Sequence, residues 1–346
     1  MQAVVNVLLQ ILYTVLVFGF LIFVHEFGHF FTAKLFKVKV NEFALGMGPA
    51  IFKKQKGDTT YAVRAFPIGG FVQMEGEDEA SDDPNAFGNK PAWQRFIIVA
   101  AGALMNIVFG LIFTAVIVCN AQLKSCTVSQ FYDGAKSSEY GLQVGDTILT
   151  IDGKKIGTYM DIQTAFSMTY NKDSIDIEVR RDGQKVLLEN VEFIKTQVQD
   201  LTILTRDFDL ADESRTFGNL FRHTVRTTFS FITMTYDTLG DLITGKVSVK
   251  YVSGPIGAST TIVEAANSGI LTLLMLMAML SANLAVVNIL PLPALDGGRL
   301  LFILIEMIFR KPVPKKAEAI VHFVGIIILF ALMIVIAFKD ILMLIL

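Results

Sequence analysis

The chain has 346 residues, of which 53% are hydrophobic and only 18% charged, with a formal net charge of −2 and a mean hydropathy of +0.54. A soluble domain carries about a quarter charged residues, so this surface is too poor in charge for water; collagen-like, disordered and disulfide-framework classes fall on the same figures. The charge balance gives no argument for nucleic acid, and Cys119 and Cys126 are too few for an all-cysteine zinc site.

A membrane protein remains, and four runs approach the roughly 20 apolar residues that cross about 30 Å of hydrocarbon. The first extends from Val4 to Phe31 and is broken only by Asn6, Gln10 and the group His25-Glu26-His29. No Lys or Arg precedes it and no small-residue cleavage site follows, so it reads as a span and not as a signal peptide. In the next loop, Tyr61–Phe66 and Gly69–Met74 read as strands paired around Pro67, forming a membrane-associated β-hairpin that leans on the helices. Two readings of it stay open: a substrate pairs along its edge, or it is an interfacial hairpin without a ligand. The acidic stretch Glu75 to Asp83 reads as solvated. The second run covers Phe96 to Cys119.

Residues 121–200 read as a small strand-rich domain. Thr147–Ile151 is followed by the turn pair Asp152-Gly153, and Ile175–Val179 alternates before Asp182-Gly183 turns it into Val186–Leu188. A short helix over Met160–Thr169 lies between. Beyond the domain, Phe217 to Leu242 has helical periodicity, with Arg222 and Arg226 on one side and many aromatics. That suits an amphipathic helix at the outer membrane face or, equally, one packed on the β-rich domain. The third run covers Ile270 to Leu290 and the fourth Ile320 to Phe338, with Leu342–Leu346 continuing past Lys339 and Asp340. The loop between the first two spans and the link between the last two are both rich in Lys and Arg. Both are therefore expected on the cytoplasmic side, with the termini and residues 121–268 outside.

Chemistry concentrates in His25-Glu26-Phe27-Gly28-His29, an H-E-x-x-H motif within an apolar helix. Four residues advance a helix by about 400°, so both imidazoles point nearly the same way and can reach one Zn²⁺. Glu26 lies beside them, placed to take a proton from water activated by the metal. The bland alternative is a pair of buried histidines satisfied by hydrogen bonds. Three ionisable groups within five residues of a membrane helix need a common reason, and a cation supplies one.

A catalytic zinc wants three protein ligands and an open position. His223 belongs to the outer region, and nothing around His322 suggests a ligand. Asp296 is the better candidate, in Asn288-Ile289-Leu290-Pro291-Leu292-Pro293-Ala294-Leu295-Asp296-Gly297-Gly298. The prolines end the third helix and force an extended stretch before a short apolar helix, Leu300 to Phe309. The alternative role for Asp296 is a helix N-cap at Gly297.

Two resemblances follow from these residues. Gly141-Leu142-Gln143-Val144-Gly145-Asp146, with Ile148, Ile151 and Gly153, resembles the signature of a bacterial PDZ domain, which implies docking of extended peptide ends or size filtering. H-E-F-G-H in the first span, N-x-x-P-x-P-x-L-D-G-G in a later one and a PDZ domain between them resemble the site-2 protease family, in its bacterial RseP type. That resemblance covers nearly the whole chain. It implies a zinc metalloprotease cutting inside or beside the transmembrane helix of single-span membrane proteins, such as anti-sigma factors or signal-peptide remnants, in regulated intramembrane proteolysis. It also implies Zn²⁺ on His25, His29 and Asp296, Glu26 as base and Asn288 holding substrate. Gly70, Phe71, Pro291 and Pro293 complete the candidate substrate-binding set. Val252-Ser253-Gly254-Pro255-Ile256-Gly257 resembles a further family segment without a derivable role. Some RseP-type enzymes carry two PDZ domains, whereas this chain has room for one.

The expected fold is a polytopic α-helical membrane protein of four transmembrane helices with an inserted PDZ domain. Residues 1–120 hold the first two spans and the hairpin, and 121–200 the PDZ domain. Residues 201–268 form the amphipathic linker and 269–346 the last two spans. The expected location is the bacterial inner membrane, with the active site toward the cytoplasm. Two rivals weaken on position and chemistry. A soluble zincin with hydrophobic anchors would keep its H-E-x-x-H in water, and a PDZ scaffold or metal carrier needs no proton acceptor at Glu26.

Overall fold

The computed structural model describes residues 2–77, 79, 81–198 and 200–345; Asp78 and Ala80 of the acidic stretch, and Leu346 of the last apolar run, lie outside the described residues. The chain divides into two compact units, one of residues up to Gly110 together with those from Ser248 onward, the other Leu111–Val247.

The first unit is built on α1 (Gln2–Leu35) and β1 (Val40–Lys56), then β2 (Thr59–Met74) and α2 (Ala92–Asn120), the last continuing into the second unit. Among the described residues four helical segments are long and apolar enough to cross a membrane: Val7–Leu35, Ala92–Asn120, Ile270–Ile289 and Lys315–Leu342. The final one leaves Ile320, Phe323, Ile328, Ile334 and Phe338 exposed. In water such a stripe is an aggregation liability; in hydrocarbon it is an ordinary lipid face.

The strands of the first loop pair differently from the sequence expectation. Phe43, Ala44 and Leu45 pair with Val72, Phe71 and Gly70 on one side and with Tyr61, Ala62 and Val63 on the other, and the distal half of β1 folds back onto 59–63. The segments 61–66 and 69–74 therefore flank β1 instead of pairing with one another. Gly46 and Gly48, at φ +82° and +83°, provide the kink that turns β1 back.

The second unit begins with β3 (Lys124–Phe131), β4 (Thr147–Ile151) and β5 (Lys154–Lys155) after the end of α2, followed by α3 (Tyr159–Ser167). Next come β6 (Ser174–Arg181), β7 (Gln184–Glu192), β8 (Ile194–Val198), β9 (Leu201–Thr205), β10 (Phe208–Asp212) and α4 (Phe217–Ile243). The main sheet has the order β10-β3-β4-β6-β7, with β5 on β4, while β8 and β9 form a separate hairpin. At both turn pairs the Asp and the Gly have positive φ, the backbone of a tight hairpin turn. Phe166, Phe193, Phe208 and Leu210 join one buried cluster, so the sheet takes in β10, beyond residue 200. The alternation Phe208-Asp209-Leu210 is there but spans too few residues to read as a strand from sequence.

Helix α4 buries His223, Thr227, Thr228, Ser230 and Thr235 while Phe217, Phe221, Phe229, Tyr236 and Ile243 stay exposed. Its polar side is held by hydrogen bonds: His223 Nε2 lies 2.8 Å from Glu213 Oε2, and the Ser230 hydroxyl donates to Asp161. The helix thus packs through a mostly polar side that includes Phe231 and leaves most of its aromatic residues exposed.

The first unit is completed by α5 (Pro255–Asn267), α6 (Ile270–Ile289), α7 (Asp296–Phe309) and α8 (Lys315–Ile345). The Val252–Gly257 segment gains a structural reason here. Asp340 Oδ2 of α8 accepts the Gly257 N–H at 3.1 Å, one of the orphan donors at the start of α5, and Lys339 binds the Lys250 and Val252 carbonyls. Val38, Val40, Met74, Ile98, Leu300 and Ile303 belong to one buried cluster that draws β1, β2, α2 and α7 together.

Both cysteines are free thiols; Cys119 is exposed and Cys126 partly buried in β3. Burial pushes the Cys126 thiol up to about 11, helped by the nearby Asp161 carboxylate. At pH 8 it is therefore ionised in about one molecule per thousand. A maleimide at that pH in detergent is expected to modify Cys119 and largely spare Cys126, with labelling of Cys126 rising steeply above pH 10. Equal labelling of both at pH 8, read by mass spectrometry, contradicts this.

Candidate metal centre

His25 and His29 sit one turn apart on α1, on the face that meets α2. A Cβ on Gly102 of α2 would collide with His29 Nε2 and with Cε1 of both rings, and one on Gly28 would strike the Ala101 carbonyl. Gly28 lets the two backbones approach closely, and the missing side chain at Gly102 leaves room for the imidazoles. His29 Nδ1 lies 2.8 Å from the Ile98 carbonyl, an acceptor only, so Nδ1 carries the proton and Nε2 keeps its lone pair.

Asp296 arrives from a distant part of the chain. Leu290 closes α6, Ala294 turns the following loop at φ +72°, and α7 begins at Asp296. The N-cap position is Leu295 and no side chain caps that end, so Asp296 does not serve as the cap. Its Oδ2 lies 3.0 Å from His25 Nε2 and 3.2 Å from His29 Nε2, and the two Nε2 atoms are 3.3 Å apart. Despite that proximity Oδ2 has no aligned hydrogen-bond donor. An oxygen aimed at a centre shared with the two Nε2 atoms, and not along either N–H, behaves this way. A tetrahedral ion with ligands at about 2.0–2.1 Å has ligand–ligand edges of about 3.3–3.4 Å. The three atoms fit one face of such a tetrahedron, with the fourth vertex open, so the donor set and spacing suit Zn²⁺.

A cavity of about 160 Å³ adjoins these atoms, lined also by Glu26, Phe71, Val72 and Met74. It is large enough for about five waters and far too small for a helix. A Cβ on Gly70 would come within 3.1 Å of Glu26 Cγ, so the Gly70 backbone backs the Glu26 side chain. Asn288, Pro291 and Pro293 lie outside the lining; a Cβ on Gly325 of α8 would strike Pro293, which packs there instead.

Several expectations need correction. The acidic stretch does not stand free in solvent: Glu77 pairs with Arg299 at the cavity rim, Asp83 lies 3.3 Å from Lys39 Nζ, and Glu75 accepts from Asn41 at 2.9 Å. Beyond those expectations, His322 Nδ1 accepts the Ala294 N–H at 3.1 Å and so supports the loop leading to Asp296. Sequence reasoning also passed over Gly102, Asn106 and Arg299. Asn106 could have been found as an amide inside the second apolar run.

Residues 13–332 match peptidase family M50. The chain is 36% identical to a provisionally named zinc metalloprotease of Fusobacterium nucleatum, covering 95% of this chain and 98% of that protein. A similarly named protein of Clostridium acetobutylicum is also 36% identical, over 96% and 97% of the two chains. The regulator of sigma-W protease RasP of Bacillus subtilis is 28% identical, over 94% and 97%.

Substituting Gly102→Ala is expected to push both imidazoles aside and weaken divalent-metal retention by roughly tenfold or more, by analogy with losses on disturbing ligand support. Gly19→Ala, where a Cβ meets nothing within 4 Å, is expected to leave it unchanged. Equal metal content in the two purified variants, by elemental analysis, contradicts the crowding argument.

Proposed function

The chain belongs to peptidase family M50, the site-2 protease family, and from this membership and the site's geometry we propose that it is a zinc metalloprotease that hydrolyses peptide bonds within the membrane. The observation that carries the reading is the triangle of His25 Nε2, His29 Nε2 and Asp296 Oδ2, with sides of 3.0–3.3 Å, beside Glu26 on a helix apolar enough to span a bilayer.

In this reading His25, His29 and Asp296 hold the metal. When bound, Zn²⁺ supplies Lewis acidity, polarising a carbonyl and making water acidic enough to lose a proton near neutral pH. Glu26 accepts that proton on its carboxylate as the water oxygen bonds to the scissile carbon. It then delivers the proton to the departing amine nitrogen as the C–N bond breaks, so the carboxylate is regenerated. Gly70 fixes Glu26 by leaving no side chain between β2 and α1.

The size of the cavity constrains the substrate. A helix hides its peptide groups and is about 10–12 Å wide, so a transmembrane helix has to unwind before its backbone reaches Glu26. An extended segment laid along the Gly70–Met74 strand, whose other edge pairs with β1, satisfies its own backbone groups while presenting a carbonyl. Phe71, which lines the cavity, is the residue of that strand assigned to substrate contact. Asn288 is assigned to substrate by family resemblance; Pro291 and Pro293, which lie outside the cavity lining, stay in the candidate set as residues of the same motif.

The remaining assignments follow from charge and pattern. Single-span membrane proteins are the proposed substrates, as the family resemblance implies. The basic loops support a metal site toward the cytoplasmic side of a bacterial inner membrane, with residues 121–268 outside. The strand-rich region is proposed to be the PDZ domain, and the exposed aromatic side of α4 to rest on the outer membrane face.

Cleavage of a single-span test protein in proteoliposomes tests this reading. Glu26→Gln is expected to slow cleavage by about 10²–10⁴-fold with zinc content unchanged, and a chelator to abolish it. Normal-rate cleavage by Glu26→Gln, or activity that persists in chelator once zinc is removed, contradicts the assignment.

A further inference from the structure

A metal-bound imidazole is oriented by whatever its second nitrogen meets. For His29 that partner is the Ile98 carbonyl. For His25 it is Asn106 of α2, whose Nδ2 lies 3.4 Å from His25 Nδ1. In that orientation the amide N–H makes Nδ1 the acceptor. A neutral imidazole then carries its proton on Nε2, the atom facing His29 Nε2 and Asp296 Oδ2. Meanwhile Asn106 Oδ1 is buried and has no hydrogen-bond partner among the described residues. A half-turn of the amide exchanges its oxygen and nitrogen. Oδ1 then accepts from His25 Nδ1–H, and the His25 Nε2 lone pair joins that of His29.

We propose that Asn106 is the positioning residue of His25: its amide oxygen fixes the ring orientation and the tautomer that presents Nε2 to the metal. The inference rests on the reading of His25, His29 and Asp296 as zinc ligands. Asn106 is fully buried, and it is the single amide between Phe96 and Cys119. An amide in such a run is expensive unless it is used. Its position is also fixed independently of its side chain, because the Ser281 hydroxyl of α6 donates to the Asn106 carbonyl at 2.8 Å. Each imidazole thus has a support of its own on α2: a main-chain oxygen for His29 and a side-chain oxygen for His25.

The test is zinc affinity of the full chain in detergent, by competition with a chromophoric chelator. It compares the parent with Asn106→Asp, which keeps an acceptor, and with Asn106→Leu and Asn106→Val, which fill the space without one. Leu and Val are expected to weaken zinc binding about 10–100-fold, with Asp staying close to the parent. Running both acceptor-free variants means that one folded protein, judged by elution and unfolding temperature, is enough. Parent-like affinity in the folded Leu or Val variant overturns the proposal, as does an Asp variant that falls with them. A parent chain that binds no zinc overturns the metal-centre reading itself, a separate outcome.

Discussion

Placing ionisable groups in an apolar helix bundle is costly, and that cost organises the first unit. A charged side chain at the centre of a bilayer costs about 2.5–3.5 kcal/mol on insertion scales and more when isolated. Here two imidazoles and a carboxylate lie within 3.3 Å of one another. Without a cation, only a shared ring proton offsets the repulsion of their lone pairs. With a cation, the same closeness becomes coordination. The surrounding features follow from holding that geometry: the Gly28–Gly102 approach of α1 and α2, the Ile98 carbonyl on His29, and the broken segment between α6 and α7 that delivers Asp296.

The same constraint explains why a sheet sits against membrane-spanning helices. Strands in an apolar environment need partners for every backbone group. β1 meets this by pairing with both halves of β2 at once, which leaves the far edge of the Gly70–Met74 strand beside the cavity. In the proposed reaction an unwound substrate faces the same requirement, and that edge answers it. The Glu77–Arg299 pair adds a charged element to the lining of this small cavity.

Much of this was legible in sequence, for identifiable reasons. The four apolar runs are long, and helical length in lipid is fixed by bilayer thickness, so they register strongly; the first, second and fourth helices extend past their runs because flanking residues still make helical hydrogen bonds, whereas α6 stops at Ile289, ahead of Pro291. The H-E-x-x-H spacing and the proline-broken segment before Asp296 are local patterns with direct geometric consequences. Pairing in the first loop was not legible, because Gly46 and Gly48 bend β1 through a conformation that composition does not announce. β10 was missed as too short, and His322 because a side-chain acceptor for one loop N–H leaves no mark in sequence. Asn106 carried a readable signal, an amide among apolar residues, but its meaning needed the position of His25.

The most direct test of the central claim is X-ray absorption at the zinc edge on the full chain in lipid. The account expects one bound zinc with nitrogen and oxygen ligands at about 2.0–2.1 Å, including the scattering pattern of two imidazoles. A sulfur shell near 2.3 Å, a six-oxygen shell, or a chain that retains no zinc contradicts it.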